Sequence, residues 1–180
     1  IETQCDNNFN LDQQSPLSDK KGQTIVQGLN SGAFAEQVVV EQSQVCAIPH
    51  DIPLDVACIL ACGVLTGFGA VTNTVTIKPA STVAIVGCGG VGINSIQGAV
   101  HSGAARIIAL DLLDEKLTLA HQFGATHSVN RGRPNGVEQV LALTDGRGVD
   151  YVFVTVGVKA AIEQSLSLLA KSGTAVIVGM

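Results

Sequence analysis

The sequence has 180 residues and a formal net charge of −5, with 46% hydrophobic but only 3% aromatic residues. This length corresponds to one or two domains, and a core of Val, Ile, Leu and Ala is typical of a parallel sheet buried on both faces. No cluster of Lys and Arg is present, so we expect no nucleic-acid partner. No apolar run reaches the ~18 residues that a transmembrane helix needs, so we expect no membrane partner either.

Five cysteines occur at positions 5, 46, 58, 62 and 88. An odd number of cysteines in an α/β-type sequence favours reduced thiols over a disulfide framework and leaves a metal-binding role open. We therefore expect a cytoplasmic protein.

The first fifty residues differ in composition from the rest. Residues 1–24 are polar and show no helical or strand period, which indicates a loop or a disordered segment. Residues 24–49 contain short β-type runs broken by Gly and Pro, which indicates a piece of an all-β module.

An apolar segment of helical length follows at residues 55–74. Because it is apolar nearly all round, we predict a buried helix. Cys58 and Cys62 are four residues apart and therefore share one face. The three glycines of this segment would weaken an exposed helix by up to ~1 kcal/mol each, so we expect them to allow close packing or the approach of a ligand.

A glycine-rich turn is the most informative feature of the sequence. The apolar run 83–86 leads into Gly-Cys-Gly-Gly-Val-Gly at 87–92, a helix-length segment follows, and a second apolar run, 107–110, ends at Asp111. Strand, glycine turn, helix, strand and acid together make the dinucleotide-binding fingerprint. The alternatives for the glycine motif alone are a turn in any α/β domain or a methyltransferase loop.

Each part of this fingerprint has a physical role. Gly87 permits a sharp turn, Gly89 lets a pyrophosphate approach the backbone, and Gly92 lets the helix pack closely on the strand. The helix N-terminus then favours the phosphate charge. Asp111 would accept hydrogen bonds from both ribose hydroxyls and repel a 2′-phosphate. Two leucines rather than an arginine follow it, so NAD is favoured over NADP.

Strands and helices alternate through the rest of the chain. We predict helices at 114–123, 137–143 and 159–170, and strands at 127–130, 150–156 and 174–178, with a turn at 172–173. This alternation predicts a doubly wound parallel sheet of the Rossmann type, an α/β fold. Only five of the usual six strands are present, so we expect the chain to be a fragment.

Six motifs, taken in order along the chain, resemble those of the zinc-type medium-chain alcohol dehydrogenases. They are GAFAEQVVV, ILACGVLTGFGA, VGCGGVG, AARIIALD, FGATH and VIVG. The likeness covers residues 32–180, and QCDNNFN near the N-terminus is most similar to the formaldehyde and thiol-adduct branch. The resemblance implies that residues 1–50 are the end of a β-rich, GroES-like catalytic domain. It also implies that residues 51–180 are an NAD-binding Rossmann domain without its last strand.

The resemblance also implies roles for individual residues. Cys62 matches the third catalytic zinc ligand, whose metal would act as a Lewis acid on the alcohol while hydride passes to NAD. Thr66 matches a catalytic-site residue that contacts the nicotinamide ring, and Lys116 a ribose-binding lysine. The alternatives are a buried core thiol for Cys62 and an ordinary solvated side chain for Lys116. The full cofactor-binding prediction comprises Gly87, Gly89, Gly90, Val91, Gly92, Asp111, Lys116, Val156 and Val178.

Other parts of the family pattern precede Ile1 in family order, including two catalytic zinc ligands and the proton-relay residues. We expect an NAD-dependent zinc alcohol dehydrogenase that acts on a small alcohol, aldehyde or thiol–formaldehyde adduct. We expect the whole protein to be a homodimer or homotetramer, and this fragment to be inactive alone. The resemblance also aligns Cys5 with the last of four structural-zinc cysteines, and the alternative is an incidental cysteine near a chain end. The rival hypotheses are a zinc-free quinone or enoyl reductase that uses NADPH, and a non-catalytic nucleotide-binding homologue.

Overall fold

The computed structural model describes residues 17–25, 33–40 and 42–179, and the chain divides into two units, the second of which begins at Ile52. In the first unit, a tight turn brings Ser18 and Thr24 into an antiparallel bridge, and Gln42–Gln44 form a 3₁₀ helix. The interpretation of residues 1–50 as part of a catalytic domain stays a prediction. Cys5 lies outside the described residues.

The second unit is built on a sheet of five strands in the order β3-β2-β1-β4-β5, and every neighbouring pair is parallel. The strands are β1 (Thr82–Val86), β2 (Arg106–Asp111), β3 (His127–Asn130), β4 (Val149–Val154) and β5 (Leu169–Ile177). The helices are α1 (Leu54–Ala57), α2 (Leu65–Thr72), α3 (Gly90–His101), α4 (Asp114–Gln122), α5 (Gly136–Ala142) and α6 (Lys159–Leu166). A helix joins each strand to the next, as parallel strands require. This architecture confirms the predicted Rossmann-type α/β fold.

Helices cover both faces of the sheet, so the apolar side chains form two cores. Ile85 of β1 packs in one cluster with Ile96 of α3, and Val86 packs in the other with Val140 of α5. All five residues of β1 are buried. Its sequence therefore reads as a continuous apolar run rather than an alternating one.

The last helix and strand differ from the prediction. We predicted a helix to residue 170 and a turn before the last strand, but α6 ends at Leu166 and β5 already pairs with β4 at Leu169. The pairing register shifts between Leu169 and Thr174, and Ser172 has a φ of 63°. Ser and Gly are common both in turns and in strand bulges, so Ser172 and Gly173 were misread as a turn between α6 and the last strand.

The apolar segment Leu54–Thr72 is not buried as predicted. Only 11% of its apolar stretch is buried: within α2 the buried residues are Gly67 and Val71, and Ala70 packs against the core beside them. By length and composition (19 residues, mean hydropathy 2.0) it could cross a membrane, which corrects our expectation that no such stretch exists. One such helix is weak evidence of a membrane protein.

Candidate nucleotide-binding site

The glycine turn after β1 packs the start of α3 directly on the strand end. Gly87 has a φ of 95°, a conformation that a residue with a Cβ resists. A Cβ added to Gly92 would lie 1.9 Å from the backbone oxygen of Gly87. The hydroxyl of Thr155 lies within hydrogen-bonding distance of the carbonyl oxygens of Val86 (3.1 Å) and Gly87 (2.9 Å) and fixes the turn from the β4 side. Sequence reasoning missed Thr155, because its role depends on β4 lying beside β1.

The middle of the turn is open where its ends are tight. A Cβ added to Gly89 or Gly90 would meet no atom within 4 Å. Gly89 is the N-cap of the twelve-residue helix α3, and no side chain caps this end. The first N–H groups of a helix have no partner within the helix, and its dipole is positive at this end. The turn can therefore receive an anionic group against bare backbone.

Val91 lies at the start of α3 and is half-buried. Its carbonyl oxygen, like that of Gly67, is 3.0 Å from the hydroxyl of the buried residue Ser95. This hydroxyl joins the first turn of α3 to helix α2.

Asp111, the last residue of β2, is held by backbone donors on both of its carboxylate oxygens. Oδ2 accepts the N–H of Cys88 at 2.7 Å. Oδ1 accepts the N–H groups of Leu112 at 2.8 Å and Leu113 at 3.1 Å. Asp111 and the glycine turn are thus directly hydrogen-bonded to each other. The orientation of the Asp111 carboxylate is therefore fixed before any ligand binds.

Cys88 occupies the turn itself but has no reactive thiol. Its side chain is 2% exposed. Burial, and after it the negative charge of Asp111, raise the pKa of the thiol to about 12, while the positive charge of Lys116 acts in the opposite direction. The thiolate is the nucleophilic form, so Cys88 is a structural residue of the turn.

A cleft of about 490 Å³ opens at the carboxyl ends of β1 and β2. It lies where the order of strands reverses between β1 and β4, which is the usual ligand position in open parallel sheets. Its lining residues are Val86, Gly87, Leu110, Asp111, Leu112, Leu113, Lys116, Arg131, Val156, Val158, Ala160, Ala161 and Gln164. Four predicted site residues therefore meet in one cleft: Gly87, Asp111, Lys116 and Val156.

Arg131 and Gln164 belong to this cleft, and sequence reasoning missed both. The backbone N–H of Arg131 donates to the carbonyl oxygen of Asp111 at 2.9 Å. Its guanidinium donates to the side-chain oxygen of Gln164 on α6. Burial lowers the pKa of this guanidinium. The available signal was that Arg131 directly follows a strand, and therefore lies at the same edge of the sheet as Asp111.

The remaining predicted residues lie outside the lining of this cleft. Val178 follows β5, is half-buried, and donates its N–H to the carbonyl oxygen of Val154 at 2.8 Å. Thr66 is exposed at the start of α2. The next residue, Gly67, packs so closely on α3 that an added Cβ would lie 2.2 Å from the carbonyl oxygen of Val91. Thr66 is thereby held next to the glycine turn.

Cys62 lies in a π-helical turn, Leu60–Val64, and its thiol is exposed. Of the residues that the structure describes, no three His, Cys, Asp or Glu side chains are grouped so that they could hold a metal ion. The described residues therefore do not fit a zinc site, since a single thiolate does not hold Zn²⁺.

Fold and site together define a Rossmann-type domain of the kind that binds nucleotides at a glycine turn and a strand-end acid. Residues 90–180 match the family described as zinc-binding dehydrogenase. A probable S-(hydroxymethyl)glutathione dehydrogenase of Schizosaccharomyces pombe is 40% identical over 162 residues, which are 89% of this chain and 43% of that protein. Alcohol dehydrogenase class-3 of Pisum sativum is 41% identical over 163 residues, with the same coverage of 89% and 43%.

Solved structures agree with these relatives. An alcohol dehydrogenase zinc-binding domain protein from Burkholderia ambifaria superposes with a TM-score of 0.84 at 32% identity, covering 96% of this chain and 47% of that one. Benzyl alcohol dehydrogenase from Acinetobacter calcoaceticus has a TM-score of 0.81 at 30% identity, covering 90% and 46%. The chain belongs to the zinc-binding dehydrogenase family, which confirms the resemblance seen in the sequence motifs. It spans less than half the length of these relatives.

Proposed function

We propose that this chain is the cofactor-binding part of an NAD-dependent alcohol dehydrogenase of the zinc type. The observation that carries the proposal is the 2.7 Å hydrogen bond between the N–H of Cys88 and the carboxylate of Asp111. It joins the phosphate-accepting turn to the ribose-accepting acid at the mouth of a cleft of about 490 Å³.

NAD fits the residues around this cleft. The open backbone at Gly89 and Gly90 receives the diphosphate, because nothing there would be displaced by its approach. Asp111 accepts hydrogen bonds from the ribose hydroxyls, and Lys116 lies in the same lining to bind that ribose. Bound NAD supplies the acceptor for a hydride from the carbon of an alcohol.

Four further residues complete the proposed cofactor site. Val91 and Val178 pack against the nicotinamide half of the cofactor, and Val156 packs against its adenosine half, where it lines the cleft. Thr66 supports one face of the nicotinamide ring, so that hydride transfers at the other. This proposed role of Thr66 rests on its position beside Gly67, which contacts the start of α3 closely.

Cys62 is proposed as one zinc ligand of the complete enzyme. An exposed thiol is a suitable soft ligand for Zn²⁺. We derive no catalytic step through a metal, because the described residues supply no set of three ligands.

The substrate class follows from the names of the relatives. Two of them are named for S-(hydroxymethyl)glutathione and for benzyl alcohol, so we propose an alcohol or a thiol–formaldehyde adduct as substrate. We also propose a cytoplasmic homo-oligomer. The exposed free thiols of Cys46, Cys58 and Cys62 support a reducing compartment.

Titration of the chain with NADH tests the proposal. We expect saturable binding, and we expect Asp111→Asn to weaken it about tenfold or more, because a charge-assisted hydrogen bond to ribose is lost. The matched control is Asp145→Asn, which changes an exposed carboxylate in a turn outside the cleft. This control should alter the affinity by less than about twofold, as surface substitutions do.

Two outcomes would decide against the proposal. A chain that is folded by circular dichroism but binds no NADH in calorimetry would overturn the proposed cofactor. Tighter binding of NADPH than of NADH would favour the zinc-free reductase.

A further inference from the structure

Arg131 is a half-buried cation without a carboxylate partner among the described residues. By contrast, Arg133 and Arg147 form ion pairs of 2.7 Å with Asp114 and Asp150. The guanidinium of Arg131 donates only to the neutral side-chain oxygen of Gln164. The fourth arginine of the described residues, Arg106, begins β2 at the opposite edge of the sheet and does not line the cleft.

The topology fixes the place of Arg131 in the cleft. The strand order β3-β2-β1 puts the glycine turn, Asp111 and Arg131 in one row along the carboxyl edge of the sheet. Arg131 follows β3, the strand next to β2, and adjacent strands are about 4.8 Å apart. It therefore lies beside Asp111, on the side away from the glycine turn. The hydrogen bond from the Arg131 N–H to the Asp111 carbonyl oxygen holds this register.

The charges of the cleft favour an anion at this position. Two cations, Lys116 and Arg131, and one carboxylate, Asp111, line it. Both carboxylate oxygens of Asp111 already accept backbone N–H groups. A partly buried charge is costly unless an opposite charge meets it, so an anionic ligand group would offset the desolvation of Arg131.

From this geometry we propose that Arg131 is a specificity-determining residue that binds a phosphate carried on the adenosine ribose. The proposal rests on the proposed function, in which the diphosphate occupies the glycine turn and the ribose lies at Asp111. A second phosphate on that ribose, directed away from the turn, would lie on the Arg131 side. The cleft would then accept the NADP class of nucleotide besides NAD, and the repulsion by Asp111 would be partly cancelled.

Two small probes separate this inference from the proposed function: 5′-AMP, and adenosine 2′,5′-bisphosphate, which adds only the second phosphate. Binding of each to the chain is measured by calorimetry for the wild type and for Arg131→Gln, Arg131→Lys and Arg133→Gln. Arg133→Gln is the matched control, because Arg133 is an exposed arginine two residues away whose partner is Asp114.

We expect Arg131→Gln to weaken the bisphosphate about tenfold, the loss of one charge-assisted hydrogen bond, and to change 5′-AMP by less than about twofold. Arg131→Lys should retain part of the bisphosphate affinity, since it keeps the charge but loses the planar fork of donors. Arg133→Gln should leave both probes within about twofold.

Three results would overturn the role of Arg131 and leave the proposed function standing. Arg131→Gln could weaken the binding of both probes equally, or it could weaken neither. The wild-type chain could also bind 5′-AMP but not the bisphosphate. Displacement of the bisphosphate by inorganic phosphate at a similar concentration would show a general anion site and would also overturn it. A folded chain that binds neither nucleotide would overturn the proposed function and this inference together.

Discussion

The nucleotide cleft and the helical segment Leu54–Thr72 carry the two halves of the proposed chemistry, and the described structure completes only one of them. At the cleft, the glycine turn, Asp111 and Thr155 are joined by hydrogen bonds of 2.7 to 3.1 Å. In the helical segment, Cys62 and Thr66 are exposed, and only 11% of the apolar window is buried. Cofactor binding can therefore be tested on this chain alone, whereas the metal role of Cys62 needs ligands that the described residues do not supply.

The largest loss of stability should come from adding a side chain at Gly92, the closely packed end of the glycine turn. Gly92→Ala would place a Cβ 1.9 Å from the backbone oxygen of Gly87, and backbone cannot rotate away as a side chain can. We expect the free energy of unfolding to fall by about 3 kcal/mol, the upper range for overpacking, and NADH binding to be lost. Urea unfolding followed by circular dichroism measures the first effect.

Gly90→Ala is the matched control, because it adds the same methyl group to the same motif in open space. Its stability should be unchanged or higher by about 0.5 kcal/mol, since Gly90 is helical and alanine favours the helix. Equal destabilisation by the two variants would show that the close approach at Gly92 does not hold the turn together.

A second prediction concerns the contact that attaches the helical segment to the site. Gly67→Ala would bring a Cβ to 2.2 Å from the carbonyl oxygen of Val91 and 2.8 Å from the Cβ of Asn94. We expect a loss of about 2 kcal/mol in urea unfolding, because α2 must move away from α3.

Gly63→Ala provides the comparison for this helix, since an added Cβ there meets nothing within 4 Å. It should leave stability unchanged within about 0.5 kcal/mol or raise it. If Gly67→Ala were as harmless as Gly63→Ala, the position of Thr66 beside the glycine turn would not depend on this contact.

The cleft could be predicted from sequence to the extent that its parts are close along the chain. The glycine turn and Asp111 lie within 25 residues of each other, and the strand–turn–helix–strand pattern encodes their spatial relation. Arg131 and Thr155 could not be placed in this way. They reach the same site only because β3 pairs with β2 and β4 pairs with β1, and hydrophobic periodicity does not specify the order of strands.

The burial of the helical segment was mispredicted for a different reason. Its apolar character was read correctly, but an apolar helix is buried only when other elements cover it. Within α2 only Gly67 and Val71 are buried, and Gly67 lies against α3. The glycines of this segment also divide in a way that sequence does not reveal, because Gly67 makes a close contact and Gly63 makes none.

The smallest predicted effect concerns the response of Cys88 to pH. The pKa of Cys88 is raised from 9.0 to about 12, chiefly by burial. A raised pKa means that the unfolded chain loses this proton before the folded chain does. The stabilisation is therefore complete below pH 9, and it is lost as the pH rises from 9 toward 12. At pH 10 the loss should be about 1.4 kcal/mol, which corresponds to one pKa unit.

Denaturant unfolding at pH 8 and pH 10 measures this loss, and Cys88→Ala should remove it from the difference between the two pH values. Cys62→Ala is the control, because that thiol is exposed and its removal should preserve the wild-type difference. Mass spectrometry after brief alkylation at pH 8 gives a second readout, in which Cys46, Cys58 and Cys62 react and Cys88 does not. Rapid alkylation of Cys88 in the folded chain would mean that the glycine turn opens, and the hydrogen bond between Cys88 and Asp111 could then not orient the carboxylate before the cofactor binds.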